Sequence, residues 1–128
     1  MNVLLDTHAF LWAVTDDPRL TPAARAVFAE SSNSLFLSVV SMWEIVLKAH
    51  TGRLQLKGSV ARFFADQLAR NNLSALGVSP QHVLRVAELP RLHRDPFDRL
   101  LVAQAQVENM LVLTADTRIR RYSVKAIW

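Results

Sequence analysis

Short, largely apolar runs recur along this 128-residue chain, each but the last breaking almost at once into a helical segment. Asn2–Leu5, Leu35–Val39, Leu73–Val78, Met110–Leu113 and Val124–Ile127 read this way. Runs of this kind suit strands buried on both faces, the environment of a parallel sheet. Between them the pattern is helical. His8 to Val14 ends at the turn signal Asp16-Asp17-Pro18, and Thr21-Pro22 caps a second helix through Glu30. Ser41-Met42-Trp43-Glu44 opens a third helix that reaches His50, with Gly52 as its stop. Ser59 to Asn71 sets Val60, Phe63, Phe64 and Leu68 at near-helical spacing. Ser79-Pro80 starts a helix through Leu89, Asp95-Pro96 starts one ending near Asn109, and Ala115 to Arg121 reads as a short helical turn. The alternation predicts an α/β fold: a three-layer α/β/α sandwich with a mostly parallel five-stranded sheet, residues 1–128 forming one domain.

Four acids sit where these segments meet: Asp6 after NVLL, Glu44 after LFLSVVSMW, Asp98 in DPFDRLL and Asp116 in MLVLTAD. In a parallel sheet every strand-to-helix junction lies on one edge, so acids scattered in sequence can converge. Two carboxylates about 4 Å apart repel by roughly 4 kcal/mol at an effective dielectric near 20. Such a cluster raises carboxyl pKa values or demands a cation. Oxygen-only donors point to a hard ion, Mg²⁺ or Mn²⁺.

Acids at helix starts also have a structural use. Ser41-x-x-Glu44 has the form of a capping box, and Asp95 with Asp98 repeats it; Asp6 and Asp116 suit N-caps or first-turn anions. Helices opening at Thr21, Ser59 and Ser79 use uncharged hydroxyl caps instead, so capping alone does not account for where the acids fall. Arg94 or Arg99 neutralising the cluster is the remaining structural account.

Net charge is +4, and twelve of the fifteen basic residues are Arg. With the four junction acids taken up by cations, fifteen bases face seven acids, a balance that favours a polyanion such as nucleic acid. The absence of cysteine excludes disulfides and thiolate sites. No window matches a membrane span, and the N-terminus lacks a basic leader, so a cytoplasmic location is the expectation.

LLDTHAFLW, SMWEI, HRDPFDRLLVAQA and LTADTRIRRY, in this order and spacing, resemble the PIN-domain ribonucleases of the VapC toxin type over essentially the whole chain. The resemblance implies a parallel sheet in the order 3-2-1-4-5 and a ligand crevice between its first and fourth strands. It carries the metal and catalytic roles to Asp6, Glu44, Asp98 and Asp116, with Thr114 supporting the site. Asp98, followed by the apolar helix, takes the ligand position, and Asp95 falls back to capping. Asp6 and Asp98 are expected to hold the principal Mg²⁺, with Glu44 and Asp116 binding a second ion or orienting water. The implied chemistry is RNA hydrolysis by metal-activated water. It further implies a cognate antitoxin, a homodimer, and DNA contact only through the antitoxin.

Arg94, Arg99, Arg118, Arg120 and Arg121 flank the acids and are candidate RNA phosphate contacts; Arg91 lies beside them. His8 and His93 adjoin the acidic motifs without an assignable proton-transfer partner, and His50 and His82 read as exposed helix residues. Trp12 and Trp43 read as core or interface. Two other classes compete. A phosphoryl-receiving signalling domain needs paired acids after the first strand, where Thr7 follows Asp6. A catalytically silent PIN-like module that binds RNA or protein is expected to lack one or more of the acids, and all four are present.

Overall fold

The computed structural model describes residues 1–128. Its strands are β1 (Asn2–Leu5), β2 (Ser34–Ser38), β3 (Leu73–Leu76), β4 (Leu111–Leu113) and β5 (Ala126–Ile127). The helices are α1 (Thr7–Val14), α2 (Pro22–Ala29), α3 (Val39–His50), α4 (Val60–Arg70), α5 (Pro80–Glu88) and α6 (Pro96–Glu108). The five strands form one sheet in the order β3-β2-β1-β4-β5, and every pairing is parallel.

β1 is central because its side chains are apolar on both faces. Val3, Leu4 and Leu5 are wholly buried, Leu5 pairing in register with Leu37 on one side and Leu113 on the other. Period-two alternation splits the core. Val3, Leu5, Leu35, Leu37 and Leu113 pack with Phe10, Ala24, Ile45 and Phe64 from α1 to α4. Leu4 and Val112 face the opposite layer, against Leu101, Val102 and Ala105 of α6 and against Tyr122. The order reverses between β1 and β4, and at such a switch point connections leave in opposite directions and open a crevice at the strands' carboxyl ends.

Several boundaries differ from the sequence expectation. The third helix starts at Val39, not Ser41, because Ser38 is the cap: its Oγ accepts from Val40 N at 3.0 Å and donates to Gln104 Oε1 at 2.5 Å. The Ser41–Glu44 capping box therefore does not form, and Ser41 Oγ is buried without a hydrogen-bond partner. β3 stops at Leu76, where the Gly77 carbonyl accepts from Gln104 Nε2 at 3.2 Å instead of continuing the ladder. β5 shrinks to two residues, and the helical turn shrinks to a 3₁₀ turn at Ile119–Arg121. Gly52 ends α3 as expected, in the left-handed region at φ 76°. No helix is long and apolar enough to cross a membrane.

Candidate active site

Asp6 leaves β1 and caps α1, its Oδ1 accepting from Ala9 N at 2.7 Å. Its backbone N donates to Leu113 O at 3.1 Å, which pins the end of β1 to the end of β4. One residue on, the Thr114 hydroxyl donates to Asp6 Oδ2 and accepts from Asp116 N at 2.9 Å. A single buried hydroxyl thus ties the two acids together. Burial drives the Asp6 carboxyl above its ordinary range against the bonds from Thr114 and Ala9, and the nearby Asp116 charge pushes the same way.

Asp98 comes from the first turn of α6. Asp95 is the N-cap there, accepting from Phe97 N at 2.9 Å and Asp98 N at 3.3 Å. Burial, then the adjacent Asp95 charge, raise the Asp98 carboxyl to about 6 although His93 opposes the shift; Asp116 adds to the rise. The Asp116 charge thus bears on both Asp6 and Asp98.

Glu44 is held differently. It lies on α3, accepts from Thr7 Oγ1 at 2.8 Å and pairs with Lys48 Nζ at 3.0 Å. Thr7 directly follows Asp6, so this acid is linked to Asp6 through one residue. Asp116 accepts from Arg118 N at 2.8 Å, closing a turn rather than capping a helix. Partial desolvation pushes Asp116 upward, but the side-chain and backbone bonds from Arg118 outweigh it and hold the carboxyl below its ordinary range.

No three His, Asp or Glu side chains stand in an arrangement that encloses an ion. Thr114, Lys48 and Arg118 occupy carboxylate oxygens of Asp6, Glu44, Asp98 and Asp116. Arg118, not Arg94 or Arg99, is the internal counter-charge of Asp98 and Asp116. The donor chemistry nevertheless fits a hard divalent cation, since the oxygens are anionic and both Asp6 and Asp98 are destabilised as anions. A cation at these oxygens would have to compete with Arg118.

Arg99 is spent elsewhere, on Pro90 O at 2.9 Å, Val86 O at 3.3 Å and the Tyr122 hydroxyl at 3.1 Å. Arg91, Arg94, Arg120 and Arg121 are exposed. Arg91, Leu92, His93, Arg94 and Arg99 line a cleft of about 630 Å³ beside Asp98. His82, expected at the surface, is buried, bonded to Ser79 N at 2.9 Å and Glu108 at 2.9 Å. His50 is exposed, and Trp43 stands exposed against Phe97 with ring centroids 5.1 Å apart. Sequence reasoning missed Lys48, for which the i,i+4 spacing from Glu44 was a usable signal. It also missed the partners of His93, which lie 5 and 29 residues away and carry no local signature.

The family model for the PIN domain matches residues 3–125. The chain belongs to the PIN-domain family. Ribonuclease VapC22 of Mycobacterium tuberculosis is 31% identical over 122 residues, covering 94% of this chain and 92% of that protein. The PIN fold extends to solved relatives of much lower identity. VapBC2 from Rickettsia felis, solved bound to a promoter DNA fragment, matches with TM-score 0.74 at 18% identity, over 99% of this chain and 98% of that one. VapBC-1 from nontypeable Haemophilus influenzae matches with TM-score 0.70 at 16% identity, over 99% and 97%. In this PIN chain the expected sheet order and switch point are both observed.

Proposed function

We infer that this PIN-domain chain is a divalent-metal-dependent endoribonuclease, the toxin of a toxin–antitoxin pair. What supports this reading is that Asp6 and Asp116, at the carboxyl ends of β1 and β4, share the Thr114 hydroxyl, while Asp116 and Asp98 share Arg118. Similarity to Ribonuclease VapC22 over nearly the whole chain supports the substrate class.

Asp6 and Asp98 are the residues that hold the ion, and Glu44 and Asp116 complete the oxygen set or orient water. Mg²⁺ or Mn²⁺ supplies, when bound, an acidified water and a counter-charge for the phosphoryl oxygens. Thr114 keeps Asp6 directed at the crevice by donating to one oxygen and leaving the backbone of α1 to hold the other. Arg94, Arg120 and Arg121 bind phosphates on either side of the scissile bond. Arg118, which pairs with Asp98 and Asp116, would be a further phosphate contact, and Arg99 holds the loop that carries Arg91 and Arg94. In-line attack of water on phosphorus breaks the P–O3′ bond and leaves a 5′-phosphate and a 3′-hydroxyl.

The same reading brings a cognate antitoxin, a homodimer, DNA contact through the antitoxin alone, and a cytoplasmic location. The VapBC complexes among the structural relatives support the antitoxin. Exposed apolar side chains support protein partners: Trp43, Val46 and Leu47 on α3, Val83 and Leu84 on α5.

The test is induced expression followed by sequencing of new RNA 5′ ends, wild type against Asp6→Asn. New 5′-phosphorylated ends that vanish in the variant are expected. Cyclic-phosphate or 3′-phosphate products, or cleavage independent of Asp6, overturn the mechanism.

A further inference from the structure

We propose that Arg99 and Tyr122 fix the tautomer of His93, locking its Nε2–H onto Asp98, so that all three are positioning residues for that carboxylate. The inference rests on Asp98 as an ion-holding residue. Its basis is a chain of hydrogen bonds whose direction follows from donor counting.

Arg99 has only donors, so at 3.1 Å its guanidinium makes the Tyr122 oxygen an acceptor. The phenol has one hydrogen to give, and His93 Nδ1 is 2.8 Å away. The arrangement that gives the buried phenol hydrogen an acceptor has Nδ1 accepting, and in the neutral ring this leaves the hydrogen on Nε2. That nitrogen stands 3.2 Å from Asp98 Oδ2. The hydrogen bonds of the row Arg99–Tyr122–His93–Asp98 then all run in one direction. The opposite tautomer would leave the buried phenol hydrogen without this acceptor and point a lone pair at the carboxylate.

Packing keeps the row in place. Tyr122 is 4% exposed, the His93 side chain 8%, and their ring centroids lie 5.4 Å apart. Arg99 is anchored independently by the carbonyls of Pro90 and Val86. The row also spans the site, from the first turn of α6 to the turn that follows Asp116.

Two consequences follow. His93 presents no lone pair to the crevice, so it positions rather than accepts protons. Asp98 has Oδ2 bonded to His93 and approached by Arg118 at 3.8 Å, while Oδ1 accepts no hydrogen bond. Partners that orient an ion-binding group in this way typically govern affinity by 10–100-fold.

The experiment uses the full chain without RNA. Ring-nitrogen NMR of ¹⁵N-histidine-labelled protein, His93 assigned by its loss in His93→Gln, is expected to give a protonated-type shift at Nε2 and an unprotonated-type shift at Nδ1. Tyr122→Phe is expected to mix the tautomers. Mn²⁺ binding followed by electron paramagnetic resonance is expected to weaken roughly 10-fold in Tyr122→Phe and in His93→Leu. His93→Gln, whose amide can still donate to Asp98, is expected to recover most of it. In RNA cleavage the loss is expected in kcat with KM unchanged. If Tyr122→Phe fails to fold, the contrast between His93→Leu and His93→Gln decides alone. An Nδ1–H ring in the wild type, or equal Mn²⁺ affinity in wild type, Tyr122→Phe and His93→Leu, overturns the positioning role. A wild-type chain that binds no Mn²⁺ at all instead overturns the ion-holding reading beneath it.

Discussion

Arg118 grips Asp116 at two points, Nε to Oδ1 at 3.2 Å and a terminal nitrogen to Oδ2 at 3.0 Å, and the same guanidinium reaches within 3.8 Å of Asp98 Oδ2. The chain thus carries its own cation among the acids that an external ion would need. Arg118 is 55% exposed, so solvent screening limits what the contact contributes, and release is cheap.

Removal of that cation separates competition from support. Arg118→Ala is expected to tighten Mn²⁺ binding several-fold by isothermal titration calorimetry, while the unfolding free energy of the metal-free protein falls by less than about 1 kcal/mol. RNA affinity falls in the same variant. Unchanged or weaker Mn²⁺ binding is the result that denies Arg118 a competing role.

Thr114 is the second lever, because its hydroxyl serves Asp6 and Asp116 N together. Thr114→Val keeps the shape and deletes the donor, leaving a buried carboxylate with one partner fewer. A loss of about 1–3 kcal/mol in urea unfolding is expected, with Thr114→Ser near wild type. The Thr114 bond is one of the two that hold the Asp6 carboxyl down, so Asp6 also titrates higher in the Val variant. A Thr114→Val protein as stable as Thr114→Ser removes the hydroxyl from the account.

These contacts mark how far the sequence could be read. β1 and β4 declare themselves because a strand buried on both faces must be apolar throughout, and the acids at their ends follow from sheet geometry. Asp95 as a cap was legible because Pro96 and the first turn of α6 are local. What was hidden is long-range: Ser38 meeting Gln104 moved the start of α3, and Tyr122 meeting His93 gave a histidine its partners. Only the folded positions of α6 and the turn after β4 create those pairs. The expected surface position of His82 failed for the same reason, since Glu108 of α6 closes over it.

The pH dependence of the metal-free protein follows from Asp98. Its carboxyl is raised to about 6 in the folded chain from an ordinary value of 3.8, so the folded state holds the proton more tightly than the unfolded state. The stabilisation is fully present below the ordinary value and is lost as pH rises through about 6. A decline on the order of 2–3 kcal/mol between pH 4 and 7.5 is expected from this group. Burial of Asp6 adds to it with the same sign. Asp98→Asn is expected to flatten part of the decline and to be more stable than wild type at pH 7.5 without an ion. Urea midpoints of both proteins at the two pH values test this, and an Asp98→Asn chain that changes between them as much as wild type contradicts it.

The arginines divide by what already occupies them. Arg94 and Arg120 are exposed and free to meet phosphate, whereas Arg99 is bound to Pro90 O, Val86 O and the Tyr122 hydroxyl. Each phosphate contact to a single strand steepens the dependence of log affinity on log salt by about 0.7. Arg94→Ala and Arg120→Ala, in the Asp6→Asn background that leaves RNA intact, are each expected to lower that slope by roughly this amount. Arg99→Gln should leave the slope unchanged and instead lower stability by about 1–3 kcal/mol, because two carbonyls lose their donor. Filter binding of single-stranded RNA between low and moderate salt, set beside thermal unfolding, separates the two kinds. A slope change in Arg99→Gln equal to that in Arg94→Ala would return Arg99 to the RNA surface.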